Sequence, residues 1–142
     1  MPTASAQTVL AVTTAKGVNV LELPLAEGQS WCLVWNHSVA GFPVRDCFVW
    51  QSPDLRLQSS HQPDFAAGLG HFEGRGQFRV SNQGGYLIDG IDEKLPENRL
   101  VLRVGALSVN HRIEIGARTT SLSERAAGER VDIQVVEQAP SN

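Results

Sequence analysis

The chain has 142 residues, 42% of them hydrophobic and 19% charged, with 12 Lys and Arg against 15 Asp and Glu and a formal net charge of −3. A chain of this length is about one domain, and it is too apolar and too weakly charged to be a disordered segment. It has no overall basic field to draw it to nucleic acid, and its apolar runs are broken every few residues, so none can span a bilayer.

Residues 1–7 read as a flexible N-terminus. Ala4-Ser5-Ala6 ahead of Gln7 has the small-x-small form of a signal-peptidase site, which points to the remnant of an export signal; a loose small-residue start is the alternative. From there almost every segment alternates with period two, the strand signature. Thr8–Thr13 comes first, then Val18–Leu23, with Asn19, Leu21 and Leu23 on one face. Ser30–Ser38 sets Trp31, Leu33, Trp35 and His37 against Cys32, Val34 and Asn36. Val44–Gln51 sets Val44, Asp46, Phe48 and Trp50 against Arg45, Cys47 and Val49. Arg56–His61, Gln77–Val80, Gly85–Asp89, Arg99–Val104, Val109–Ile115 and Arg130–Val136 follow. In the last three, Leu100, Leu102, Val104, Val109, His111, Ile113, Ile115, Val131, Ile133 and Val135 are expected inside.

Turn signals such as Lys16-Gly17, Glu27-Gly28, Ser52-Pro53-Asp54, Asn82-Gln83-Gly84-Gly85 and Gly116 punctuate these runs. One helical turn is expected, opened by Ser121, with Glu124 three residues later and Gly128 as its stop. Residues 138–142 read as a flexible tail. The pattern predicts one all-β domain over residues 8–137, an antiparallel β-sandwich or barrel-like fold with at most one short helical turn.

Cys32 and Cys47 do not have zinc-site spacing. If their segments are two arms of one hairpin, the thiols fall opposite or diagonal and within reach of a disulfide; two small buried hydrophobes is the competing reading. Asn36-His37-Ser38 is formally a glycosylation sequon, though a strand end is a poor place for one. His37 and Ser38 point to opposite faces of a strand, so His37 cannot readily activate Ser38. Asp46, on the neighbouring arm near His37 or Trp35, is the better partner, either as an orienting carboxylate or as one of two satisfied half-buried groups. His37, His61, His71 and His111 are scattered singly, and no metal site is expected from them. Asp64, Glu73, Asp89, Asp92 and Glu93 lack the calcium-loop order and read as solvated loop. The glycine-rich stretch 65–76 neither follows a parallel strand nor opens a helix, so it is no phosphate cradle. Its Phe65, Gly68, Leu69, His71 and Arg75 make it the first choice for a binding edge. Trp31, Trp35 and Trp50 on adjacent strands read as core or as a cross-strand ladder, with a ligand platform as the lesser reading.

The order of several strings carries a resemblance: Trp35-Asn36-His37-Ser38-Val39, Phe42-Pro43-Val44-Arg45-Asp46, Ala66-Ala67-Gly68-Leu69, Tyr86-Leu87-Ile88-Asp89-Gly90, then Leu100–Gly105 followed by His111. Over about residues 29–136 this resembles the bacterial family named domain of unknown function 1850, with its HSV string, Pro-Val with acidic residues, and alanine-glycine loop. Arg45-Asp46 leaves one carboxylate where the family favours two, and the loop lacks the family's first glycine and final proline. The resemblance implies a small exported protein, often encoded beside TRAP transporters of the TAXI type, with an accessory or binding role. It supplies no catalytic residues.

The expectation is therefore a non-enzymatic binding or accessory domain, periplasmic or otherwise exported, with a cytoplasmic address as the alternative. Its partners would be a transporter or solute-binding protein or a small-molecule ligand, without nucleic acid, membrane span or cofactor. The surface would combine His37, Ser38 and Asp46 with the 65–76 loop. A small hydrolase or metal-dependent enzyme using His37 and Asp46, and a purely structural interaction module, are the rival readings.

Overall fold

A computed structural model describes residues 7–37, 43–62, 77–80 and 85–138, with Phe78 and Arg79 as backbone only. The alternating segments form two antiparallel sheets that close a β-sandwich. The smaller sheet takes β1 (Gln7–Thr14), β2 (Asn19–Pro24), β9 (Arg99–Arg103) and β12 (Arg130–Gln138) in the order β2-β1-β12-β9. The larger takes β3 (Ser30–Asn36), β4 (Pro43–Gln51), β5 (Asp54–Gln62), β6 (Gln77–Val80), β7 (Tyr86–Asp89), β10 (Arg112–Ile115) and β11 (Arg118–Ser121) in the order β11-β10-β3-β4-β5-β7-β6, with the two-residue β8 (Glu93–Lys94) paired to β5.

Period-two alternation places apolar rows on both inner faces. On the smaller sheet Leu23 lies opposite Leu10 and Leu10 opposite Val135, and Val12 sits between Leu21 and Ile133. On the larger sheet Ile115, Trp31 and Phe48 form one row, in which Trp31 stacks on Phe48 with ring centroids 4.5 Å apart. Trp31, Leu10, Leu55, Ile113, Leu122 and Ile133 are sealed from solvent in one core that also holds Trp50. Trp31 and Trp50 are thus core residues, whereas Trp35 is half-buried.

Simple alternation is broken at several places, among them a shift in the β1–β2 pairing after Val12 that leaves Val20 as an extra residue. Val18 lies outside β2, in the turn where Gly17 has φ +86° and the Gly17 amide donates to the Thr14 carbonyl. The strand expected from Val109 starts at Arg112, because the amides of Val109 and Asn110 both donate to the Ala106 carbonyl and close a turn, with Asn110 at φ +50°. In β5 the pairing with β4 slips between Cys47 opposite Ser59 and Phe48 opposite Leu57, leaving Gln58 as an extra residue. A bulge of this kind reverses which residues face inward. Leu55 and Leu57 are buried before it, and Ser60 and Gln62 after it. The helical turn α1 (Ser123–Ala126) sits where the sequence placed it, with Ser121 Oγ accepting from the Glu124 amide.

β3 and β4 pair with Cys32 directly opposite Cys47, and the two form a disulfide on the outer face of the larger sheet. Beside it Val34 is fully buried although it points away from the core. Arg45 and Arg112 lie opposite it on either side, and long basic side chains can cover apolar surface with their stems. Arg45 also pairs with Glu114 across β3. Because the disulfide joins positions 15 residues apart, reducing it or replacing both cysteines by Ala should cost about 3 kcal/mol. Urea denaturation of the oxidised and reduced chain checks this; an unchanged midpoint contradicts it.

Candidate functional site

One inner-face row of the larger sheet breaks the apolar pattern. It runs from Leu33 on β3 to Asp46 on β4, Ser60 on β5 and Ile88 on β7. Ser60 is completely buried and donates its hydroxyl proton to Asp46 Oδ1 at 2.6 Å. Ser60 Oγ in turn accepts from Nε2 of Gln62 at 2.8 Å, and Gln62 is itself buried. The three side chains form a directional line in which amide donates to hydroxyl and hydroxyl donates to carboxyl. Buried polar groups are tolerated when they are bonded in this way. Desolvation pushes the Asp46 carboxyl above the ordinary aspartate value, and the Ser60 hydroxyl bond partly offsets it.

An aromatic pair lies toward the same end of the sheet. Trp35, opposite Val44, meets the His111 ring with centroids 5.5 Å apart and planes tilted by 39°. His111 is held from three sides: its Nδ1 accepts from the Gly105 amide at 2.8 Å, its own amide donates to Ser123 Oγ, and its carbonyl accepts from the Leu122 amide. An Nδ1 that accepts a hydrogen bond leaves the ring proton on Nε2. Burial pushes His111 below the ordinary histidine value. Gly105 has no room for a side chain, since a Cβ there would sit 2.8 Å from Val109 Cβ.

Of the residues singled out in the sequence, Asp46 belongs to this site. His37 does not pair with it: the register puts Leu33 opposite Asp46, His37 is four positions further along the chain, and Asp46 bonds Ser60 instead. The orienting His37–Asp46 pair, and the hydrolase built on it, therefore lose their geometric basis. Ser38 and the loop residues Phe65, Gly68, Leu69, His71 and Arg75 lie outside the described residues. His61 and His111 belong to opposite faces of the larger sheet, so they cannot share one ligand. Asn36 has its amide engaged with the Ser108 carbonyl and with Arg112.

Asp89 and Asp92 line an open cleft of about 450 Å³ on the outer face with Gln51, Gln58 and Ser59, where Asp92 takes Arg56 as its partner. Among the described residues no group of three or more His, Cys, Asp or Glu is placed to hold a metal. In the sequence Trp35 reads as core, ladder or ligand platform and His111 as an inward position among four scattered histidines, and Ser60 and Gln62 carry no signal. Ser60 and Gln62 escape a simple alternating reading because the bulge reverses their face, and Gln62 lies one residue beyond the expected strand end.

Asp46→Asn should raise stability at neutral pH. The raised folded value means that the carboxyl's favourable contribution is present below the unfolded aspartate range and is lost as pH rises through the folded value. The gain from Asp46→Asn should therefore shrink as the pH is lowered. Ser60→Ala should cost about 1–3 kcal/mol by leaving buried partners unbonded. For His111 the sign is reversed. Its lowered folded value makes the unfolded chain the better proton acceptor, so stability should fall as pH drops below about 6.5. His111→Asn, which can still accept from Gly105, should flatten that limb. Thermal midpoints of the three variants across pH check these signs. If Asp46→Asn proves less stable than the parent at neutral pH, the first is contradicted.

No curated protein and no solved structure is detectably similar to the chain. Residues 32–122, which run from the disulfide through the Asp46 row to the residue before α1, match the family described as Domain of unknown function (DUF1850), and the chain belongs to that family.

Proposed function

We propose that the chain is a non-enzymatic binding domain that acts outside the cytoplasm as an accessory to TRAP-type solute uptake. The observation that carries the binding role is the Asp46–Ser60–Gln62 line, a bonded polar row on an apolar inner face. Perturbed titratable groups beside aromatic side chains are typical of ligand sites. A small polar solute would present N–H or O–H donors to Asp46 and lay an apolar part against Trp35. His111 supports this as a holding group, because its Nδ1 is committed to the Gly105 amide and its ring to Trp35.

The address outside the cytoplasm is supported by the Cys32–Cys47 bond, since structural disulfides persist in oxidising compartments. The link to solute uptake is supported by the gene context that the family resemblance implies.

A thermal-shift screen of amino acids and organic acids tests the ligand, with Trp35→Ala and Asp46→Asn as controls. A ligand at a hundred times its Kd should stabilise the parent by about 2.7 kcal/mol and leave both variants unmoved. A ligand that shifts the variants as strongly as the parent would place its site elsewhere. Co-purification with the solute-binding protein of a neighbouring transporter, without any small-molecule shift, would favour a protein-docking module. Alkylation of thiols in intact cells should find both cysteines protected; labelled cysteines would contradict the address.

A further inference from the structure

We infer that the rim of the smaller sheet, at the end of the sandwich where β1 turns into β2 and β9 leaves for β10, docks on an anionic phospholipid surface. Strand order and register line up the parts. The turn 15–18 joins β1 to β2, the Ala15 amide bonds the carbonyl of Arg130 at the start of β12, and Arg130 lies directly opposite Arg103, the last residue of β9. The loop that follows β9 carries Leu107. At about 4.8 Å between strands, the rim is roughly 14 Å across.

Two independent features mark this rim. The first is charge. Lys16, Arg103 and Arg130 are exposed, and none is in an ion pair among the described residues; Arg103 donates only to the Gly128 carbonyl. Two like charges directly opposite across a strand pair are unfavourable unless something neutralises them. Glu129 precedes Arg130, and Glu124 and Arg125 lie on the helical turn just before it, so cations outnumber acids at this end. By contrast Arg56, Lys94 and Arg99 each face a carboxylate. The rim is thus locally basic in a chain whose net charge is −3.

The second feature is apolar exposure. Single exposed aliphatic residues are ordinary, but their placement here is not scattered. Val18 is 59% exposed in the turn and Leu107 is 65% exposed in the loop after β9, at the two ends of the basic row. Val80, 72% exposed, ends β6 at the same end of the larger sheet.

The residue types decide the occupant. Protein hot spots favour Trp, Tyr and Arg and under-use Leu and Val. Bare aliphatic tips flanked by Lys and Arg suit the headgroup boundary, where apolar tips enter the acyl edge and cations meet phosphates. No helix among the described residues is long and apolar enough to cross a membrane. The rim shares no residue with the Asp46 site and would function whether or not that site takes a ligand.

Co-sedimentation of the full chain with vesicles tests it, comparing pure phosphatidylcholine with phosphatidylcholine containing about a third phosphatidylglycerol. The chain should bind the anionic vesicles at low ionic strength, bind the neutral ones weakly, and come off in about 1 M salt. Arg103→Gln with Arg130→Gln should weaken binding about thirtyfold, while Arg103→Lys with Arg130→Lys retains it. Val18→Ser with Leu107→Ser should also weaken binding, and thermal midpoints should stay nearly unchanged because every altered side chain is exposed. Absence of binding to anionic vesicles, or equal binding by the double Gln variant, overturns the inference. Retention on immobilised polyglutamate without vesicle binding would also overturn it, giving the rim to an acidic protein.

Discussion

The arrangement depends on one extra residue. Gln58 has no partner in β4, and its presence shifts β5 by one position against the pleat. Before it Leu55 and Leu57 fill the core; after it Ser60 and Gln62 turn inward, and Ser59 and His61 go to the other face. In a strict two-residue repeat the inner face beyond Leu57 would have received Ser59 and His61, so Ser59 would stand opposite Asp46 and His61, not Gln62, would come next on that face. The bulge is held from outside, since the Gln58 carbonyl accepts the Ile91 amide and so ties the β7–β8 connection to the strand. The backbone irregularity thus selects the Ser60–Gln62 pair, so that a carboxamide backs the hydroxyl that bonds the Asp46 carboxyl.

Around that feature the two faces of the larger sheet divide the work. The inner face gives core stability through Trp31, Phe48, Leu33 and Ile113 and changes character only at the end that carries Trp35, Asp46, Ser60, Gln62 and His111. The outer face is fastened by the Cys32–Cys47 bond and by the Arg45–Glu114 pair that crosses β3. The register that sets Cys32 against Cys47 also sets Leu33 against Asp46, so the disulfide constrains the position of the carboxyl. An ion pair at a half-exposed site adds little to stability; the covalent link is the stronger constraint.

Most of the fold was legible because alternation survives wherever one face is buried. Val44, Phe48 and Trp50 point inward, and Arg45 and Cys47 outward, as the pattern of that segment requires. The turn at Ser121–Glu124 was legible because side-chain capping has a local signature. The β8 pair Glu93–Lys94 is too short to show a period, and β11 is a four-residue edge of Arg, Thr and Ser without a buried apolar residue to reveal its phase. Of the site, Asp46 could be found because a carboxylate in an inward position is anomalous. Ser60 and Gln62 could not, because two polar residues in a polar stretch look solvent-facing until the bulge is known. His111 looks in the sequence like one more inward residue; its pairing with Trp35 and Gly105 joins positions 76 and 6 residues away along the chain, which no local pattern reports.

The β3–β4 register and the β5 bulge together hold the Asp46 carboxyl, half-buried, against Ser60. The most direct measurement of this arrangement is a carbon-detected NMR titration of that carboxyl in the native chain. The expected midpoint lies above that of an ordinary aspartate, about pH 3.9, and moves further up with Ser60→Ala. A midpoint at or below the ordinary value, unaffected by the Ser60 change, would show that Asp46 is solvated and that the inner-face site is not built as described.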